Sequence, residues 1–263
     1  MVRTDPKSAT SSEPTRLLII AGRDSSGGAG VVADIEAAKW AGVSARVVVT
    51  AETRQGSEGL VELGARPPRE WVEEASRALE DGIEAVKFGL LPGAEHVEAA
   101  ARLLGEIEER VPVVVDPVLA PSLGGRFLDD LGVLALREEL LPRGCVLTPN
   151  ILEAAELTER SLKLLMESPE ARVEAAEELI ERGAGGVLIK GGHAEGELAE
   201  LVCEPGKEPV WLRLERRSGS LRGTGCRHAT AVAASLAKGV GLSEAAEVSS
   251  AWIGSLFPSQ GAF

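Results

Sequence analysis

Residues 17–34 read Leu17-Leu18-Ile19-Ile20-Ala21-Gly22-Arg23-Asp24-Ser25-Ser26-Gly27-Gly28-Ala29-Gly30-Val31-Val32-Ala33-Asp34. An apolar run, a glycine-rich turn and a segment of helical period follow one another, which predicts a buried strand feeding a helix. Glycines in such a loop let the backbone approach a ligand closely, and the helix N-terminus behind them favours negative or polar groups. Gly28 to Ala33 also fits the GxGxxG/A dinucleotide fingerprint, with Glu52 near the end of the next strand where a ribose-binding acid would stand. A Rossmann oxidoreductase is therefore one reading of the stretch, and a tight strand-helix turn without ligand is another.

Outward from this stretch the alternation continues. Arg46 to Ala51, Ala85 to Phe88, Val113 to Asp116, Val146 to Thr148 and Val187 to Lys190 read as further short strands. Ala29 to Ala41, Pro68 to Asp81, Glu95 to Arg110, Asp130 to Leu140, Ile151 to Leu157 and Pro169 to Arg182 repeat apolar residues every three or four positions and read as helices. Such regular alternation predicts an α/β fold with a mostly parallel central sheet and helices on both faces. Beyond Lys190, Glu197 to Cys203 and Val210 to Leu214 flank the turn Glu204-Pro205-Gly206-Lys207, a small antiparallel edge hairpin. Helices return at Thr224 to Lys238 and Ser243 to Ile253. No repeat or composition break divides the chain, so residues 16–263 form one expected domain behind a disordered leader, residues 1–15, that has no signal-like apolar stretch.

At 263 residues and 44% hydrophobic content, the chain can build one continuous core. Its apolar runs are strand-sized and none approaches the roughly 18 residues of a membrane span. A net charge of −13 disfavours nucleic acid and anionic membranes as partners. Cys145, Cys203 and Cys226 are widely spaced, suggesting neither a disulfide framework nor a zinc site and fitting a reducing cytoplasm. The same negative charge would repel a nucleotide, so any phosphate site must be built locally from backbone N–H groups, a few cations and a metal ion.

Four further segments meet that requirement. Gly223-Thr224-Gly225-Cys226 opens a helix, where successive N–H groups could form an anion hole and the dipole would lower the Cys226 pKa so that it could act as a base; a small buried cysteine packing the turn is the alternative. Thr148-Pro149-Asn150-Ile151-Leu152-Glu153 follows a strand; Asn150 and Glu153 make a capping-box variant, and Glu153 is also placed to help hold hydrated Mg²⁺. Lys190-Gly191-Gly192-His193 sets one cation beside two glycines, suiting a phosphate. Asp116, before Pro117 and Val118, sits at the C-terminal edge of a central strand, where open α/β sheets bind ligands.

In this order the segments resemble the hydroxymethylpyrimidine/phosphomethylpyrimidine kinases of thiamine biosynthesis, within the ribokinase-like superfamily. The resemblance runs from Leu17 to about Ile253 and includes Ala33-Asp34, Thr50-Ala51 with Gln55, and Val86-Lys87 with Gly89. It implies a ribokinase-like fold, ATP and Mg²⁺ as cofactors, and a pyrimidine alcohol or its monophosphate as acceptor. Gly22, Asp34, Gln55 and Val118 would bind the acceptor, and Cys226 with Gly223, Thr224 and Gly225 would serve the reacting oxygen. Asn150, Lys190 and Gly192 would face ATP, while Asp116 and Glu153 would hold the metal. A homodimer is also implied. A pyridoxal or pyridoxine kinase and a catalytically silent pyrimidine-binding paralogue are the alternatives. The chain departs from the pattern at Arg23-Asp24-Ser25, Leu90, Ser220-Leu221-Arg222 and Arg227-His228. Of these, Arg23 is expected to favour a phosphorylated acceptor.

Overall fold

The computed structural model describes residues 14–56, 59–121, 124–191, 198–215, 217 and 219–258; most of the expected leader, Gly192 and His193 lie outside the described residues. In chain order the elements are β1 (Arg16–Asp24), α1 (Val31–Trp40), β2 (Ser44–Gly56), β3 (Gly59–Ala65), α2 (Pro68–Leu79), β4 (Ala85–Phe88), α3 (Ala94–Leu103) and β5 (Val113–Val115). They continue with α4 (Asp130–Ala135), β6 (Val146–Leu147), α5 (Ile151–Thr158), α6 (Leu162–Glu167), α7 (Pro169–Glu181) and β7 (Gly186–Ile189). The last are β8 (Ala199–Cys203), β9 (Val210–Arg213), α8 (Thr224–Ala237) and α9 (Leu242–Ser255). The strands form one sheet in the order β3-β2-β1-β4-β5-β6-β7-β8-β9. From β2 through β7 neighbouring strands are parallel, and β8 and β9 add the expected antiparallel hairpin at one edge. At the other edge β3 pairs antiparallel with β2, a strand the sequence did not announce.

The apolar run Leu17 to Ala21 lies in β1, an interior strand between β2 and β4. Leu17, Ile19 and Ala21 pack against α1, α8 and α9, while Leu18 and Ile20 face the core that includes Trp71, Phe88 and Leu103. The side chains of residues 17–21 are all buried, as expected for a strand covered on both faces, and burying each Leu or Ile contributes roughly 1.5–3 kcal/mol. Because β2 lies on one side of β1 and β4 on the other, the crossovers diverge there, opening a crevice beyond the strand C-termini. Trp40 stacks on Trp252 at 4.4 Å, fastening α1 to α9 far from that crevice.

Candidate active site

The crevice is built first by close backbone approach. The β1–β2 register slips between Ala21 and Arg23, and a side chain at Gly22 would stand 2.6 Å from Leu90 Cδ2. A bridge between Arg23 and Gly30 closes the loop; Gly30 has φ 59°, and a Cβ there would collide with the Gly22 carbonyl oxygen. The first turn of α8 seats on this loop. Gly223 has φ 72°, and its Cβ would fall 2.6 Å from the Gly28 carbonyl oxygen and 2.8 Å from Ala29 Cα. The two glycine motifs thus form a single surface. That contact fills the α1 N-terminus where a dinucleotide pyrophosphate would sit, and Glu52 pairs with Arg23 at 3.3 Å on the exposed surface. These packing facts remove the Rossmann reading.

Charged groups gather beyond the ends of β5, β6 and β7. Lys190 Nζ donates to Asp116 Oδ1 at 2.7 Å, and Thr148 Oγ1 reaches the same oxygen at 3.5 Å. A Cβ on Gly225 would lie 3.2 Å from Lys190 Nζ, so this ammonium spans the Asp116 carboxylate and the start of α8. Burial opposes the charge of Asp116, but Lys190 and Lys87 hold its carboxyl below the ordinary range. Asn150 accepts from the Glu153 N–H at 2.9 Å, and Glu153 Oε2 accepts from the Asn150 N–H at 2.7 Å, completing the capping box. Burial pushes the Glu153 carboxyl up to about 7, with Lys190 opposing and Asp116 adding to the rise.

Beneath this floor lies a buried pair in which the motif reading gave Lys87 no role. Lys87 Nζ sits 3.0 Å from Asp34 Oδ1, which also accepts from Thr230 Oγ1 at 2.7 Å; all three side chains are buried. The Asp34 carboxylate is thus engaged by Lys87 and Thr230 where α1, β4 and α8 meet. The expected lowering of the Cys226 pKa is corrected. Burial pushes this thiol up to about 11, outweighing the Lys87 ammonium and the Gly30 N–H that pull it down. The helix-terminus rule holds for solvent-facing thiols and fails where desolvation is larger.

On the β2 side of the crevice, Leu90 touches the Gly22 position and joins Val118, Ala51 and Phe127 in a small apolar cluster. Thr50 Oγ1 donates to the Leu90 carbonyl at 2.6 Å and fixes that loop. Gln55 belongs to β2 by its backbone. The departures from the motif pattern find partners. Arg222 donates to Asp24 at 2.8 Å and Ser26 at 2.9 Å. Arg227 binds Glu36 at 2.7 Å and the Arg222 carbonyl at 2.7 Å, and buried His228 faces Glu200 at 3.4 Å. Their spacing in sequence gave no sign of these pairs, which depend on α1, α8 and β8 meeting in the fold.

A mostly parallel sheet with a glycine loop at its switch point, a glycine-rich first turn of α8 seated on that loop and a buried Lys–carboxylate pair at the strand ends defines a kinase of the ribokinase-like class. The sequence pattern of the phosphomethylpyrimidine kinase family matches residues 24–260, and the chain belongs to that family. It is 39% identical over 232 residues to a Streptomyces coelicolor hydroxymethylpyrimidine/phosphomethylpyrimidine kinase, covering 86% of this chain and 82% of that one. The Clostridium difficile phosphomethylpyrimidine kinase superposes with a TM-score of 0.78 at 28% identity, over 92% of this chain and 99% of that one. Staphylococcus aureus pyridoxal kinase in complex with ADP superposes at 0.83 with 27% identity, over 96% and 92% of the two chains.

Proposed function

We propose that the chain transfers the γ-phosphate of ATP to 4-amino-5-hydroxymethyl-2-methylpyrimidine and to its monophosphate. The observation that carries this reading is the single ammonium of Lys190, placed between the Asp116 carboxylate and the anion hole of α8. Phosphoryl transfer needs in-line positioning and charge neutralisation more than covalent help from the protein, and that is what this arrangement supplies. Asn150, Lys190 and Gly192 meet ATP; Gly223, Thr224, Gly225 and Cys226 surround the group in transfer. Gly22, Gln55 and Val118 face the acceptor together with Leu90, and Asp34 supports them from below.

Two buried carboxylates, Asp116 and Glu153, stand beside the Lys190 ammonium at the strand ends. That donor set fits Mg²⁺, which takes one or two carboxylates and keeps several waters; among the described residues no cluster of three or more His, Cys, Asp or Glu offers a protein-only cage. The ion would supply charge neutralisation at the phosphates. Among the described residues no helix is long and apolar enough to cross a membrane. A cytoplasmic homodimer acting on small molecules, without nucleic acid or membrane partners, completes the reading. Val32 and Ile35, exposed on α1, support the dimer, and light scattering tests it.

The fold likeness to pyridoxal kinase keeps one second reading. A coupled assay with ATP and Mg²⁺, comparing the pyrimidine alcohol, its monophosphate and pyridoxal, decides between them. Pyrimidine turnover is the expected result; pyridoxal turnover alone selects the second reading, and no turnover with any acceptor selects a silent binding paralogue.

A further inference from the structure

Two arginines tie the glycine loop to the start of α8, and the proposed function gives them no part. Residues 219–223, which lead into that helix, belong to no helix or strand. From there the Arg222 guanidinium reaches the loop, donating to Asp24 Oδ2 at 2.8 Å and to Ser26 Oγ at 2.9 Å, and Ser26 Oγ donates to the same Asp24 oxygen at 2.7 Å. Asp24 is buried, as is Arg227 on α8. Arg227 holds the backbone of both sides: its Nη1 donates to the Arg222 carbonyl at 2.7 Å and to the Gly28 carbonyl at 3.4 Å, while Nε and Nη2 bind Glu36 of α1. A Cβ on Gly28 would touch Arg222 Cβ at 3.5 Å, and one on Gly223 would lie 3.0 Å from Arg227 Nη1. A buried ion pair is weak evidence for stability, so the pairs ask for another account. Their shared placement, between the loop Gly22 to Gly30 and the turn Gly223 to Cys226, supplies one.

We propose that Arg222 and Arg227 form a clasp that sets the distance between the glycine loop and the first turn of α8, and that Arg222 is a positioning residue for phosphoryl transfer. A guanidinium is a planar fork whose donors are fixed relative to one another, so engaging two acceptors at once fixes orientation as well as distance. The clasp acts through the groups it seats, Gly22 on one side and Gly223 to Cys226 on the other. Asn150 and Lys190 have their own partners, Glu153 and Asp116, and lie outside it. A displacement of about 1 Å lowers the rate of such a transfer about 10²-fold, so the clasp governs kcat and leaves nucleotide binding alone. This catalytic consequence rests on the proposed placing of acceptor and transferred phosphate at those glycines; the clasp itself does not.

Amide hydrogen exchange followed by mass spectrometry reads the clasp without turnover. Arg222→Met and the neutral pair Asp24→Asn/Arg222→Met should each speed exchange about tenfold in peptides spanning residues 24–30 and 220–227, with β4 at its wild-type rate. The double variant leaves no unpaired buried carboxylate, so it decides the matter if Arg222→Met does not fold. In the coupled assay with a pyrimidine acceptor, both should lower kcat about ten- to hundredfold while KM for ATP stays within about twofold of wild type. Because Arg222 acts through Asp24, the double variant should lose no more than about twofold beyond Arg222→Met. Unchanged exchange in the double variant, a wild-type kcat where exchange has quickened, a rise in KM for ATP matching the fall in kcat, or losses that multiply between Asp24→Asn and Arg222→Met would each overturn the proposal. A wild type that turns over no acceptor would remove the functional reading and with it the catalytic consequence, while the exchange result would still decide the clasp, so the two failures are told apart.

Discussion

On the proposed reading Cys226 would meet an acceptor at neutral pH as a thiol, because burial has raised it to about 11. An alcohol acceptor must lose a proton as it attacks, and only the small thiolate fraction can take it. A phosphate monoester is different: its second pKa is about 6, so the attacking oxygen is already bare at pH 7. Cys226→Ala should therefore lower kcat for the alcohol by about 10²–10⁴ and for the monophosphate by less than about tenfold, read in the same coupled assay. Equal losses for both acceptors would show that the residue shapes the hole and moves no proton. Arg23 was expected to read the acceptor's phosphate, but its guanidinium lies on the exposed surface against Glu52. A single exposed pair of this kind contributes under about 1 kcal/mol, and Arg23→Ala should leave the ratio of monophosphate to alcohol turnover unchanged.

The elements explain which parts of this could be read in advance. β1, β4, β5, β6 and β7 were legible because strands buried on both faces are written as short apolar runs, and their ends locate Asp116, Asn150 and Lys190 through topology alone. β3 was not: Gly59-Leu60-Val61-Glu62-Leu63-Gly64-Ala65 is bounded by glycines and forms only against the extension of β2 to Gly56. The short α6 fell below the length at which helical period is visible. The Asp34–Lys87 pair stayed hidden because its members lie on separate elements that meet only in the fold. Two helix starts carry predictions of their own. Asn150→Ala removes the side-chain half of the α5 capping box, leaving the residue-150 backbone N–H to donate to Glu153, and should cost about 1 kcal/mol, a fall of about 2–4 °C in Tm by calorimetry. Gly223→Ala asks a side chain to adopt φ 72° while its Cβ meets the Gly28 carbonyl, so α8 must back away from the glycine loop. Its kcat should fall by about 10² or more with fold retained by circular dichroism, because a misplacement of about 1 Å has that effect on transfer.

For the molecule as a whole, −13 of formal charge surrounds a site that must attract phosphates, and its buried titrating groups make stability depend on pH in opposite senses. His228 joins α8 to Glu200 on β8 and Ser250 on α9, and burial lowers its pKa from 6.5 despite the nearby carboxylate. The folded protein thus refuses a proton that the unfolded chain accepts, so this contribution is present above about pH 6.5 and is lost as pH falls below it. Glu153 works the other way: raised from 4.5 to about 7, it lets the folded protein hold a proton that the unfolded chain releases, and stability declines as pH rises between those values. Between pH 5 and 6.5 the two partly cancel, and wild-type Tm should vary little. Single variants separate them. Without added metal, His228→Gln should leave Tm falling with rising pH across that window, and Glu153→Gln should leave Tm rising, each by at most about 1.4 kcal/mol per pH unit for one proton. Parallel profiles for wild type and both variants would mean that neither group titrates with folding. Charge at the β8–α8–α9 junction and at the phosphate site would then be balanced by groups other than His228 and Glu153.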